Sequence, residues 1–322
     1  MTEEYVAREM EQLLKTIASH VEMILREVYR DVKVEVKDVL KTNGMQKAIT
    51  AHAKDTEAAP TIYAEEMYRQ YEAGIPTEEI AYGVGEQMKK AMKNDIEMPT
   101  LTEEEAKKHI TLTVVNTEMN QELLRKTPHF PIADGEISAI PRWYITEEAS
   151  FVVSNEIASR MMMTPDEILR IGQKNVNCQE FESRPMQDIL AEMMGVDPED
   201  IMPEGATPMI VVTSQSHIQG SNALLSKKTL DQIHEKYGDV VICPSSLHEI
   251  IALPISDEMK PDEIRSVIRG VNQTQVSKED FLSDQVFKYD GKRLSIVGDT
   301  FKPDVPKVEP LKMDKPKMRM SM

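Results

Sequence analysis

One short run combines the residue types that nucleophilic catalysis needs. It reads Pro244-Ser245-Ser246-Leu247-His248-Glu249 and lies between two apolar stretches, Val240 to Cys243 and Glu249 to Ile255. A serine becomes a nucleophile when a base sits within hydrogen-bond reach and an acid orients that base. Ser245 or Ser246 could be the nucleophile and His248 the base, with Glu249 or a distant carboxylate orienting the imidazole. A tight turn at the ends of strands is also where a rigid scaffold presents such groups together. The competing reading is plain turn chemistry, in which hydroxyls after a proline satisfy backbone groups. No GxSxG elbow is present, and the turn reading ranks first.

Other polar positions stand alone. His217 lies in Ser214-Gln215-Ser216-His217, just past an expected strand, where it could face a cleft. His129, Cys178 and Cys243 have no partner in the sequence; Cys243, at the end of an apolar run, reads as a small buried hydrophobe. Trp143, flanked by Arg142 and Tyr144, suits either an interface or the core. The histidines lack HExxH spacing, and the two cysteines form no CxxC pair, so no metal set is expected. Asp197, Glu199 and Asp200 read as a polar loop. Gly83-Val84-Gly85 lacks the third glycine of a dinucleotide fingerprint and falls in a helical pattern. No cofactor is expected.

The elements that must position these groups are legible from periodicity. Ala7, Met10, Leu14, Ile17, Val21, Ile24 and Val28 recur at spacings of three and four, with Leu13 and Leu25 widening the stripe. That is a long amphipathic helix. Such a stripe could pair with a second copy, but its flanking charges follow no pairing code, so packing within the chain ranks first. Val32 to Val39 then alternates, Asn43-Gly44 signals a hairpin, and Met45 to His52 returns as its partner. Helices are expected over 64–73 and 77–93, and strands over 110–115, 136–145 and 149–153. Thr164-Pro165-Asp166-Glu167 starts a further helix with a Thr cap and Pro at the first position. Beyond it come a short helix over 185–194, a strand at 209–213, helices at 227–237 and 261–270, and a last hairpin around Asp290-Gly291. Strands and helices interleave without regular βαβ spacing or a glycine-rich βα turn. The expected class is α+β, with mainly antiparallel sheets and packed helices.

Three regions follow: 1–100, with the helix, hairpin and helix pair; 101–300, an α+β body; and 301–322. The boundary near residue 100 rests on the polar run 100–108, the best linker candidate. The last region carries six basic and three acidic residues, four prolines and four methionines, and no period that buries a face. It is expected to be disordered.

Composition narrows the function classes. The chain has 322 residues, 40% hydrophobic and 29% charged, which supports a packed core. Its net charge of −17 works against phosphate backbones and anionic membranes. No apolar stretch is long enough to span a bilayer, and the first residues do not resemble a signal peptide. A cytoplasmic protein is expected, with no direct nucleic-acid or membrane contact.

Several segments together resemble a known family. They are Pro60-Thr61-Ile62-Tyr63, the run Ile110 to Val115, Phe151 to Met163 leading into Thr164-Pro165, and Gly238 through Glu249. Their order is similar to that of the uncharacterised bacterial family called domain of unknown function 5688, found mainly in gut Gram-positive bacteria and often near mobile elements. The C-terminal half resembles, more distantly, domain of unknown function family 1444. The resemblance covers about residues 30–297 and implies a folded module of the bacterial cytosol. It implies no activity, cofactor or catalytic residue. Because Gln46-Lys47 and the polar run after Ala53 interrupt the returning strand, the first hairpin is expected to be short.

These readings favour a non-enzymatic interaction or regulatory protein with a protein partner. The alternatives are a hydrolase-like enzyme using the 244–249 turn and an acidic mimic of nucleic acid, the latter requiring carboxylates along one extended face.

Overall fold

The structure, a computed structural model, describes residues 3–54, 59–93, 99–146, 149–202, 208–256 and 259–298, with side chains from residue 8 onward. The tail at 301–322 lies outside the described residues.

The first unit opens with helix α1 (Glu3–Arg26). Strands β1 (Lys33–Lys41), β2 (Gly44–His52) and β3 (Thr61–Tyr63) follow, then helices α2 (Ala64–Glu72) and α3 (Thr77–Lys93). The strands form an antiparallel sheet in the order β1-β2-β3. The stripe on α1 packs inward: Leu14, Ile17, Val21 and Leu25 are fully buried, in one cluster with Ile49, Met67, Ile80 and Met88. Val28 falls beyond the helix and is exposed. At Gly85 helices α1 and α3 lie close together, since a Cβ there would lie 3.0 Å from Ile24 Cγ2. Of the two glycines, Gly85 serves helix packing, while Gly83 is exposed with open space around it.

The first hairpin is longer than the sequence suggested, pairing over nine positions from Lys33↔His52 to Lys41↔Gly44. Gln46 and Lys47 do not interrupt it, because Gln46 bonds to Glu279 and Lys47 to Asp38. Its two-residue loop is Thr42-Asn43, with Asn43 in the left-handed region at φ 65°.

The rest builds two further sheets. Helix α4 (Glu103–His109) leads into β4 (Ile110–Asn116), α5 (Gln121–Lys126), β5 (Phe130–Ile132), β6 (Ile137–Tyr144), β7 (Ser150–Val152), α6 (Asn155–Arg160) and α7 (Pro165–Cys178). Here β6 pairs with β4 on one side and with β5 and β7 on the other. The polar run at 100–108 is therefore partly helix, started by the Thr102 hydroxyl accepting from Glu105 N, with Ala106 fully buried. Helix α7 carries the full capping box of Thr164 and Glu167.

The last stretch contains β8 (Phe181–Pro185), α8 (Met186–Met194), α9 (Pro198–Ile201), β9 (Ile210–Ser214), a 3₁₀ turn (Gly220–Leu225) and α10 (Lys227–Tyr237). It ends with β10 (Val240–Cys243), β11 (Glu249–Pro254), α11 (Pro261–Gln275), β12 (Phe287–Tyr289) and β13 (Leu294–Ile296). Six of these strands form an antiparallel sheet in the order β13-β12-β10-β11-β9-β8. One of its faces meets the β4–β6 sheet across a shared core that includes Leu112, Val114, Ile137, Ile210, Val240, Ile250 and Phe287. Its other face packs Val241, Cys243 and Ile251 against Ile264 and Ile268 of α11. The fold is α+β, with three antiparallel sheets among the described residues.

Edge strand β4 is protected by side chains rather than by another strand. Asn222 Oδ1 accepts from Val114 N at 3.3 Å, and Asn175 Nδ2 donates to Ile110 O at 2.6 Å. Trp143 is fully buried, its indole stacked between His109 and Phe151. It anchors the core.

Candidate functional site

The 244–249 turn joins β10 to β11, the two central strands of the six-stranded sheet. Pro244 is buried, Ser245 and Ser246 are half-buried, and Glu249 is exposed at the first position of β11. The carboxylate that meets the imidazole is Asp280, from a loop 32 residues away: His248 Nε2 lies 3.0 Å from Asp280 Oδ1. Ser277 in turn donates to Asp280 Oδ2 at 2.8 Å. The structure thus brings a base and an acid together.

The hydroxyl is engaged elsewhere. Ser246 Oγ accepts from His248 N at 3.1 Å, the local bond of a serine turn. His248 Nδ1, the ring atom on the side away from Asp280, is buried and has no hydrogen-bond partner.

The backbone of the turn is tied on two sides. Leu282 N donates to Ser245 O, Ser283 N donates to Pro244 O, and Leu247 N donates to Asp280 O. On the other side Gly220 N and the Thr213 hydroxyl both donate to His248 O, at 3.0 and 2.9 Å. Ser221 donates to Leu247 O through both its N–H and its hydroxyl. Only glycine fits at 220, because a Cβ there would lie 2.3 Å from His248 O. The turn is a junction between the 277–283 loop and the 213–221 loop.

The 213–221 loop borders a cleft of about 370 Å³ at the end of β8 and β9. That volume falls in the range of small-ligand sites. Tyr144, Gln179, Phe181, Ser214, Gln219 and Asn222 help to line it. Gln219 is held in the left-handed region at φ 55°, and its Oε1 accepts from Tyr144 OH at 3.1 Å and from the Thr113 hydroxyl. Burial pushes the Tyr144 phenol above its ordinary pKa, so it stays a neutral donor. Among the described residues, Glu180 is the one carboxylate in the lining, which holds no histidine, cysteine, lysine or arginine. Hydrogen-bonding groups, neutral or cationic, are what such a wall can meet.

His217 is exposed on this loop at φ 56°, outside the lining. Cys178 is exposed, and His129 Nδ1 meets Thr127 O. Burial pushes the Cys243 thiol up to about 12, which leaves it unreactive at neutral pH. Sequence reasoning missed Asp280 and the cleft residues Gln179 and Gln219. Gln179 sits after the C-terminus of α7 and Gln219 in a loop, with no local pattern to mark either. Among the described residues, no group of three or more His, Cys, Asp and Glu side chains could hold a metal. No helix there is long and apolar enough to cross a membrane.

No curated protein and no solved structure matches the chain. Residues 10–291 match the model of the Family of unknown function (DUF5688), and the chain belongs to that family.

Proposed function

We propose that this chain is a non-enzymatic interaction or regulatory protein of the bacterial cytosol. The observation that carries the reading is where the turn's polar groups go. Ser246 Oγ binds the backbone of its own turn, and the carbonyls of residues 244, 245, 247 and 248 all accept bonds that join neighbouring loops. A hydrolase would need a serine oxygen against the imidazole, whereas here the imidazole meets only a carboxylate. The amides and hydroxyls of the cleft, with Glu180 as its one ionisable carboxylate among the described residues, support binding rather than chemistry.

Labelling with a serine-directed fluorophosphonate tests this. The native chain is expected to label no faster than the Ser245→Ala, Ser246→Ala double variant at any pH where it is folded. Labelling that the double change removes would return the hydrolase reading to first place.

A further inference from the structure

The cleft beside β8 and β9 is bordered by an amide donor that the fold itself does not use. Asn222 is only 3% exposed and sits in the 3₁₀ turn Gly220–Leu225, every residue of which is buried. Chemistry fixes its orientation. The Val114 N–H only donates, so the atom 3.3 Å from it is Oδ1, and Nδ2 takes the other side. Nδ2 has no hydrogen-bond partner among the described residues, and Asn222 lines the cleft. Nor is Nδ2 sealed in, since the fully enclosed unpaired polar atoms among the described residues belong to other side chains. A donor on so buried a side chain is ordinarily paired, and the cleft is where its partner comes from.

Gln219 adds a second donor. Its Oε1 takes the hydroxyl hydrogens of Tyr144 and Thr113, which leaves Nε2, also without a partner among the described residues, for the cleft. Gln219 is set at φ 55° directly before Gly220, whose N–H is held by His248 O. Both amides are therefore placed before any ligand arrives, which lowers the ordering cost of binding. Elsewhere in the lining Glu180 is a pure acceptor, and Phe181 and Ile218 supply apolar surface.

A ligand for this wall must accept from the amides and donate to the carboxylate. Phosphates and ionised carboxylates accept without donating, and they meet Glu180 with no cation in the described lining to offset it. An ammonium satisfies Glu180 but confronts the amides with N–H groups of its own. A hydroxyl does both with one atom. A sugar ring carries several hydroxyls on neighbouring carbons around a C–H face that is apolar enough to lie on Phe181. We infer that the cleft binds a neutral sugar, with a sugar oxygen accepting from Asn222 Nδ2. The cleft's volume of about 370 Å³ sits toward the lower end of small-ligand sites. The inference rests on the reading of the chain as a binding rather than a catalytic protein, and it names the ligand class.

Asn222→Asp isolates the donor, because a carboxylate oxygen still accepts from Val114 N while the N–H bonds of Nδ2 are lost. The side-chain amide signals of the nitrogen-15-labelled full chain are followed by NMR during titration with glucose, galactose, mannose, xylose and maltose. Each is taken to about 20 mM, which nearly saturates a site with a Kd of about 1 mM. The carboxamide signal missing from the Asn222→Asp spectrum is that of Asn222. At least one of these sugars is expected to shift it saturably. Asn222→Asp should weaken binding of that sugar about tenfold, read on the remaining lining residues. Gln219→Glu keeps the acceptor for Tyr144 and Thr113 and should weaken it as well, so the test does not hang on one variant. No saturable shift with any of the five sugars overturns the inference. Unchanged affinity in both variants overturns it too. So does tighter binding of glucose 6-phosphate or acetamide than of any neutral sugar, because the ligand is then an anion or an amide. A failure here leaves the serine-labelling test untouched, and serine labelling leaves the sugar titration untouched, so the two readings fail separately.

Discussion

Replacing Asn43 tests how the N-terminal unit is held to the rest of the molecule. Its side chain is buried at the tip of the first hairpin. Nδ2 lies 2.9, 3.2 and 2.6 Å from the carbonyls of Lys278, Glu279 and Phe281, and Oδ1 accepts from Asn120 Nδ2 at 2.8 Å. An amide has two N–H bonds, so the three donor contacts amount to two full bonds with one shared. Asn43→Ala removes those two and the accepted one, a loss of about 3 kcal/mol at about 1 kcal/mol per bond. The backbone at φ 65° adds about 1 kcal/mol for alanine, which tolerates the left-handed region less well than asparagine. The expected loss is about 4 kcal/mol, while Asn43→Gly, free of the backbone cost, should lose about 3 kcal/mol. Urea unfolding followed by far-ultraviolet circular dichroism measures both. A loss below about 1 kcal/mol for Asn43→Ala would refute the reasoning, since three part-buried carbonyls would then have lost their donor at almost no cost. A glycine variant no more stable than the alanine one would refute the backbone part alone.

Three further outcomes follow from local geometry. Gly220→Ala drives a Cβ to 2.3 Å from His248 O and 2.5 Å from Thr213 Cα, both backbone atoms. It should cost more than about 3 kcal/mol, read as a lowered urea midpoint or loss of soluble folded protein. Gly172→Ala meets mainly the movable Leu112 Cδ2 at 2.7 Å. Its cost should be milder, about 1–2 kcal/mol in the same assay. Glu167 has its pKa held below the ordinary carboxylate value by the backbone N–H and then the hydroxyl of Thr164. Its contribution is therefore full above the unfolded pKa and fades as pH falls through the lower folded one. The stability gap between native and Glu167→Gln should narrow as unfolding is measured from neutral pH to below about 4. A gap that widened on acidification would reverse the assignment.

Where the local signal was strong, the fold was legible. The α1 stripe, the Asn43-Gly44 hairpin and the capped start at Thr164 each rest on contacts within a few residues. β8 was not visible, because Phe-Glu-Ser-Arg-Pro has one large apolar residue and ends in proline. It is a strand only because β9 pairs with it. The hairpin expected to be short runs full length for a similar reason: Gln46 and Lys47 find partners that periodicity cannot see. The candidate site was half legible. The run 244–249 stood out by its residue types, but Asp280 and Gln219 reach it and the cleft from distant loops.

The same distant contacts give the turn a physical reason to be polar. The 277–283 loop receives Asn43 from the first hairpin, Asn116 of β4 at Leu282 O, and the backbone of residues 244–247. Its Ser283 hydroxyl also reaches Glu136. All three sheets therefore meet at one loop, and a loop has no ladder of its own to satisfy its carbonyls and N–H groups. Serine hydroxyls fill that role here: Ser246 accepts from His248 N, Ser277 from Asp280 N and Ser283 from Gln285 N. The serine at 246 then follows from the demands of a junction, and the His248–Asp280 pair ties the turn to the same loop. Removing the junction's bonds should loosen the sheets from one another before it melts any one of them. Hydrogen exchange on Asn43→Ala would show this as faster exchange at 277–283 and at the hairpin tip, with β10 and β11 still protected. Uniform acceleration across all three sheets would mean that the loop is only one contact among many.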